Sequence, residues 1–293
     1  MFETGIAGWE AHPEVWVLVA SLAAFGIYAV RVIGPKVVPA GEEIVSRKQV
    51  WFFCAGLILL WIAADYPVHE VGEQQLYSVH MLQHLTFSFF VPPLLLMATP
   101  LWLVDLILTD GSFVDRSFRR LATPLVAAVL FNFVQAISHW EQVVELSVTN
   151  GLFHYIMHIL VFSTALLMWV PVVGPIPELR ISPFAKCVYL FLMSVIPTIP
   201  AAWLTFAENP VYDVYDRPGR LWGVSVVDDQ QAAGLIMKIG AGFFLWSVIG
   251  TIFFRWSAEQ RRQDVEDRRR HQASLTYEDV TAEFERAPAP SEH

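Results

Sequence analysis

Seven apolar stretches dominate this chain, at roughly residues 15–33, 50–64, 76–99, 123–139, 152–170, 184–206 and 231–254. A helix needs about 20 mostly apolar residues to cross the hydrocarbon core of a bilayer, and each stretch meets or approaches that length. The second is short unless it continues to Val68. In lipid every backbone polar group must be satisfied internally, which favours helices for runs of this kind. The pattern predicts an all-α fold: an integral membrane bundle of seven transmembrane helices. Pro92 and Pro93 predict a kink in the third span, Pro197 and Pro200 one in the sixth. Residues 101–108 are too few to span and are expected at the interface. Charged residues are only 16% of the chain, against about 25% in soluble domains, which excludes a disordered chain and disfavours a soluble enzyme. The first 14 residues hold no Lys or Arg, so no cleavable signal segment is expected. Cys54 and Cys187 lie inside apolar runs and form neither a disulfide framework nor a CxxC thiolate site.

The basic residues alternate with the spans. Arg31, Lys36, Arg47 and Lys48 follow the first stretch, Arg116, Arg119 and Arg120 the third, Arg180 and Lys186 the fifth, and seven arginines from Arg255 onward the last. Only Arg217, Arg220 and Lys238 fall on the opposite side. Positive loops stay in the cytoplasm, so the N-terminus is expected outside and the C-terminus inside. Residues 1–255 then form the membrane domain and 256–293 a polar cytoplasmic tail, with a short surface helix at 260–270 and a disordered end at 287–293. The formal net charge of −9 divides unevenly, because most of the acid excess lies on the outer side, where it attracts a cation. No basic tract argues for nucleic acid.

Most of the nine histidines share one depth. His80 and His84 lie in the outer half of the third span, His139 ends the fourth, and His154 and His158 open the fifth. The pairs His80/His84 and His154/His158 have i, i+4 spacing, which puts two imidazoles on one helix face with Cβ atoms about 5–6 Å apart. Such a pair can chelate one metal ion. The plainer use of a membrane histidine is an interhelical hydrogen bond. For His139, beside the boundary residue Trp140, the two uses are evenly matched. For His12 and for His69, in the outer loop between spans two and three, the plain one is expected. Met81, Met157 and Met237 reach the same depth. Thioether sulfur favours Cu(I), and imidazole suits copper or zinc, although a single Met most often fills core space. Asp228-Asp229-Gln230-Gln231 precedes the seventh span, and a carboxylate there can orient a ligating His through its second ring nitrogen. A b-type haem needs axial histidines from opposing directions, which one pair on one helix cannot supply. A zinc hydrolase needs ligands, an open position and a general base. The chain has no HExxH motif and no nucleophile elbow, so no catalytic residue is assigned.

Tyr77-Ser78-Val79-His80-Met81-Leu82-Gln83-His84, then Val91-Pro92-Pro93 and Pro100-Leu101-Trp102, resemble the CtaG family of cytochrome c oxidase assembly factors, the multi-span family associated with caa(3)-type oxidases. Ser138-His139-Trp140, Asn150 with His154 and His158, Met168-Trp169-Val170-Pro171, and Asp229-Gln230 with Met237 extend the resemblance over residues 50–256. The family often has Trp after the seventh-span Met, where this chain has Lys238. The resemblance implies a protein of a bacterial plasma membrane that helps mature the oxidase copper centre, with cytochrome c oxidase subunits, a periplasmic copper donor and the lipid bilayer as partners. Joined to the histidine spacing, it gives an expected copper site, Cu(I) before zinc, with His80, His84, His154 and His158 as ligands. His139, Met81 and Met237 are secondary ligands, and Asp229 is an orienting carboxylate. The alternatives are a zinc-dependent membrane hydrolase resembling the seven-span ceramidase-like group, and a scaffold for oxidase subunits that binds no metal.

Overall fold

Caps and prolines set where each apolar run begins and ends. The computed structural model describes residues 11–217, 220–274 and 277–286; these described residues are 82% helix and contain no strand. In chain order the helices are α1 (Pro13–Val37), α2 (Arg47–Ala64), α3 (Val68–Gln74), α4 (Tyr77–Ala98), α5 (Leu101–Ile107), α6 (Phe113–Leu121), α7 (Pro124–Ser138), α8 (Glu141–Thr149), α9 (Gly151–Val173), α10 (Pro183–Thr205), α11 (Val226–Gln272) and α12 (Tyr277–Arg286). Six of them, α1, α2, α4, α9, α10 and α11, are long and apolar enough to cross a membrane. Residues 1–249 and 250–293 form two compact units; the second contains the end of α11 and all of α12.

The fourth expected span differs from the reading above. Helix α7 has 15 residues and meets α6 at an angle of 74°, so the count is six, or seven if this bent pair makes one span. Pro124 causes the bend, because the residue before a proline is pushed out of the helical region; Thr123 is extended. Helix α2 gains its length at the start, not toward Val68. The Ser46 hydroxyl accepts from Gln49 N at 3.2 Å, and the Gln49 side chain accepts from Ser46 N at 2.9 Å, forming a capping box. Val68 instead opens α3. Helix α11 starts earlier than expected. Ser225 caps it through Asp228 N at 3.1 Å, so Asp228–Gln231 form its first turns and do not precede it. Residues 260–270 are helical as part of this same helix, not as a separate one. The expected disorder at 287–293 lies outside the described residues.

The prolines of α4 do not break it. A π-helical turn at Thr86–Phe90 precedes Pro92 and Pro93, and the helix runs on. Pro92 has no N–H for the carbonyl of Ser88, which accepts instead from the Trp169 indole of α9 at 2.9 Å. In α10 the helix is interrupted between Val195 and Thr198, next to Pro197. There Lys238 of α11 donates to Ser194 O at 3.2 Å and to Thr198 Oγ1 at 2.5 Å.

Helix α4 is the hub. Its first half packs on α3 and on the start of α11, and its second half on α2 and α9. Helices α4 and α9 have 56% and 50% of their apolar windows buried, against 11–33% for the other spans. The two most enclosed spans are therefore the two that carry the histidine pairs. A cavity of about 500 Å³ between α1, α2 and the 95–103 segment is apolar and contains no histidine.

Candidate metal centre

The first turn of α4 carries His80, and its start is held by a residue 152 positions along the chain from Tyr77. Asp229 Oδ2 accepts from Tyr77 N at 2.8 Å and Oδ1 from Ser78 N at 3.0 Å. A carboxylate at a helix N-terminus satisfies otherwise free N–H groups and complements the helix dipole. Asn150 does the same for α9, accepting from Phe153 N at 3.0 Å. With both starts fixed, the two i, i+4 pairs face each other. Ring centroids are 4.6 Å apart for His80–His84 and 4.3 Å for His154–His158. Across the helices they are 6.0 Å for His80–His158, 6.1 Å for His80–His154 and 5.5 Å for His84–His158. The four rings make one cluster. His154 Nε2 and His158 Nε2 approach to 2.7 Å. The buried Nδ1 atoms of His80, His84 and His158 have no hydrogen-bond partner in the protein. The cavity they line with Met157 and Tyr215 is about 20 Å³, room for one water-sized body.

The short helix α3 brings in His69, for which the sequence predicts only a plain hydrogen-bonding role, and Glu73, which the sequence reading does not name. His69 lies 5.5 Å from His154 and 6.3 Å from His158, centroid to centroid. Glu73 Oε1 is 2.9 Å from His154 Nε2, and its Oε2 is 3.4 Å from His69 Nε2. Ligand atoms of His69, Glu73 and His154 all lie within 4.8 Å of one another. Burial holds the His69 imidazole below its ordinary pKa, against the raising influence of Glu73. Burial also works to raise the Glu73 carboxyl, but hydrogen bonding and charge from His154, with His69, outweigh it and keep Glu73 below the usual carboxylate range. Further out, His12 Nε2 is 3.2 Å from Glu70 Oε2 and its ring 5.1 Å from His69. The signal available in the sequence was the i, i+4 spacing of His69 and Glu73, the same spacing as in the two histidine pairs.

On the other side of His84 stands His139, at 5.8 Å between centroids. Its Nδ1 is 2.6 Å from Gln135 O and its Nε2 is 3.5 Å from Met81 Sδ. Met81, His84, His139 and Met237 line a separate cavity of about 30 Å³. Asp229 stands apart from the rings: besides its two amide partners, it pairs with Arg220 at 2.8 Å and accepts from no histidine. It orients helix α4, not an imidazole. Lys238 directs its ammonium to the α10 interruption. Seven of the eight described histidines thus form one continuous chain, His12, His69, His154, His158, His80, His84, His139, which connects the elements carrying them.

The family model of cytochrome c oxidase caa3 assembly factors matches residues 26–259. The chain belongs to this family. No curated protein and no solved structure shows a significant match. The match takes in His69, Glu73, the four-histidine cluster and the Met81–His139–Met237 cavity, and leaves out His12. An assembly factor of this family associates with cytochrome c oxidase, and its apolar helices make it a membrane protein. In this assembly factor the α10–α11 connection covers the centre. Tyr212 donates to His139 O at 2.7 Å, and Tyr215 to Gly72 O at 3.3 Å. Arg220 ties the same loop to Asp229. Burial pushes the Tyr212 phenol up to about 12, so it stays a hydrogen-bond donor at neutral pH.

Proposed function

We propose that this assembly factor binds copper as cargo in the four-histidine cluster and passes it to a cytochrome c oxidase subunit, supplying the oxidase copper centre. The observation that carries the reading is the set of three buried imidazole nitrogens without a hydrogen-bond partner, on histidines that line one water-sized cavity. Buried polar atoms are nearly always satisfied, and ionisable groups inside a membrane protein mark function. Imidazole ligands suit copper, and of the four rings only His154 has a carboxylate, Glu73, beside it at 2.9 Å. The protein then has seven spans, counting α7 as the fourth and α6 as an interfacial helix. Its N-terminus lies outside and its C-terminus in the cytoplasm, as the basic residues direct. Residues 1–255 form the membrane domain of a bacterial plasma-membrane protein, with 256–293 as its polar tail. Copper arrives from a periplasmic donor, and the role is that of a metallochaperone, not of an enzyme. The test is metal analysis of the purified protein with His80, His84, His154 and His158 changed to Ala. Copper should fall from stoichiometric to background, and unchanged copper content defeats the assignment.

One observation favours zinc instead. His69, Glu73 and His154 make a two-histidine, one-carboxylate set, the donor type of catalytic zinc sites. Stoichiometric zinc that survives purification and is lost in Glu73→Gln favours this second reading.

A further inference from the structure

We propose that Met81, His139 and Met237 form a second cation site, separate from the four-histidine cluster and selective for a soft monovalent ion such as Cu(I). The position of one ring proton decides what His139 can bind. The His139 Nδ1 lies 2.6 Å from the backbone carbonyl of Gln135, which can only accept. The ring proton therefore sits on Nδ1, and in the neutral ring Nε2 carries a bare lone pair. That lone pair faces Met81 Sδ at 3.5 Å, and a thioether has no proton to give. Two acceptors thus meet, both on residues under 10% exposed, with no donor between them. A histidine whose second nitrogen donates to a carbonyl is the arrangement that fixes a metal-ligating imidazole. Met237, 7% exposed, brings a second thioether to the same cavity.

The chemistry of the walls selects the ion. The cavity of about 30 Å³ is lined by Met81, His84, Leu85, Phe89, Gln135, His139, Pro197, Met237 and Ala241, without a carboxylate. The nearest basic group in sequence, Lys238, spends its ammonium on Ser194 and Thr198. A divalent ion buried among neutral ligands retains two uncompensated charges, which is costly in a low-dielectric interior. A monovalent ion with thioether and imidazole ligands meets its preferred donors. His84 lines both this cavity and the four-histidine cavity. The two sites lie in series, with the four-histidine set, bordered by Met157, on one side of His84 and the two-thioether set on the other.

The inference stands whether or not the four-histidine cluster holds copper, and its test separates the two. The full chain in detergent is titrated anaerobically with Cu(I) against a chromogenic competitor, and X-ray absorption is recorded at saturation. The wild type should show copper–sulfur scattering. Met81→Leu with Met237→Leu, swaps that conserve volume, should abolish that scattering and weaken one Cu(I) site by about 10- to 100-fold or more, the range seen when even an outer partner of a ligand is lost. His80→Ala with His158→Ala should keep the scattering. Zn(II) should not compete for the sulfur-bearing site. A wild type without sulfur scattering, or a double Leu variant with unchanged Cu(I) affinity and a wild-type melting curve, overturns the proposal. Loss of the scattering in the His80/His158 variant means one mixed site and overturns the separation. His139→Gln gives a second measure, since it leaves both thioethers in place and should lower Cu(I) affinity without removing sulfur scattering.

Discussion

Asp229→Asn separates support of the site from ligation. Asp229 is 1% exposed, and its two oxygens take three hydrogen bonds: from Tyr77 N and Arg220 Nη2 at 2.8 Å and from Ser78 N at 3.0 Å. The amide keeps one acceptor and turns the other into a donor that faces an N–H. It also removes the charge opposite Arg220. Losing one hydrogen bond to a charged group costs about 1.5–3 kcal/mol, and breaking a buried ion pair about 3–5 kcal/mol. Arg220 keeps the carbonyls of Tyr215 and Val224, which places the expected loss near the lower end, about 3 kcal/mol. Equilibrium unfolding in mixed detergent, followed by the fluorescence of the 11 tryptophans, measures it. Arg220→Met and the double variant complete a cycle whose coupling term isolates the pair. Because Asp229 accepts from no histidine, copper per folded chain should stay at the wild-type value. A stability change under about 0.5 kcal/mol, the size of an ordinary surface substitution, refutes the reasoning. So does loss of copper from a variant that remains folded, since Asp229 would then act on a ligand and not on the helix.

Trp169→Phe should destabilise the chain by about 1–3 kcal/mol, because Ser88 O loses its indole donor at 2.9 Å and Pro92 cannot replace it; the same unfolding assay reads this, and a neutral result dismisses the link between α4 and α9. His12 gives a pH dependence. Burial works to lower its pKa, but hydrogen bonds and charge from Glu14 and Glu70 outweigh that and raise it. A raised folded-state pKa means the stabilisation is complete below the unfolded value of about 6.5 and is lost as pH rises through the folded value. The stability difference between wild type and His12→Gln should therefore be larger at pH 6 than at pH 8.5, and a difference that grows with pH contradicts the contact. Glu73→Gln keeps one acceptor oxygen but removes the charge beside His69 and His154. Copper affinity should fall by about 10- to 100-fold with stoichiometry unchanged, whereas Glu70→Gln should leave it within twofold.

How much could be read in advance depended on the range of the contacts involved. The pairs His80/His84 and His154/His158 were legible because i, i+4 spacing is a property of one helix. The meeting of α4 with α9 follows from packing, which no spacing encodes. His69 was discounted because residues 65–76 lack the length of a span. That segment folds into α3, which lies against α4 because residue 72 is Gly: a Cβ there would come within 3.1 Å of the His80 backbone. The cost of the loop reading was the loss of Glu73 as well. The bend before α7 was in principle visible in Thr123-Pro124. The role of Asp229 was not, since the helix it caps begins 152 residues earlier.

The acid excess also changes meaning once the partners are known. As a bulk property it suggested a field drawing cations to one face. In the structure Glu14 and Glu70 sit on His12, and Glu73 sits on His69 and His154. Asp65 accepts from the indoles of Trp16 and Trp61 at 2.8 and 2.7 Å. The carboxylates beside the histidine chain therefore gather at its His12–His69 end, and none lines the cavity of Met81, His139 and Met237. Charge and ligand softness run in opposite directions along the same chain. A hard divalent ion is held best where Glu73 stands and gains nothing by moving inward. A soft monovalent ion gives up little attraction on leaving the carboxylate and gains thioether ligation at the far end. On the two-site proposal, the order of side chains, from carboxylate to imidazole to thioether, predicts tighter Cu(I) binding at the thioether end of the chain.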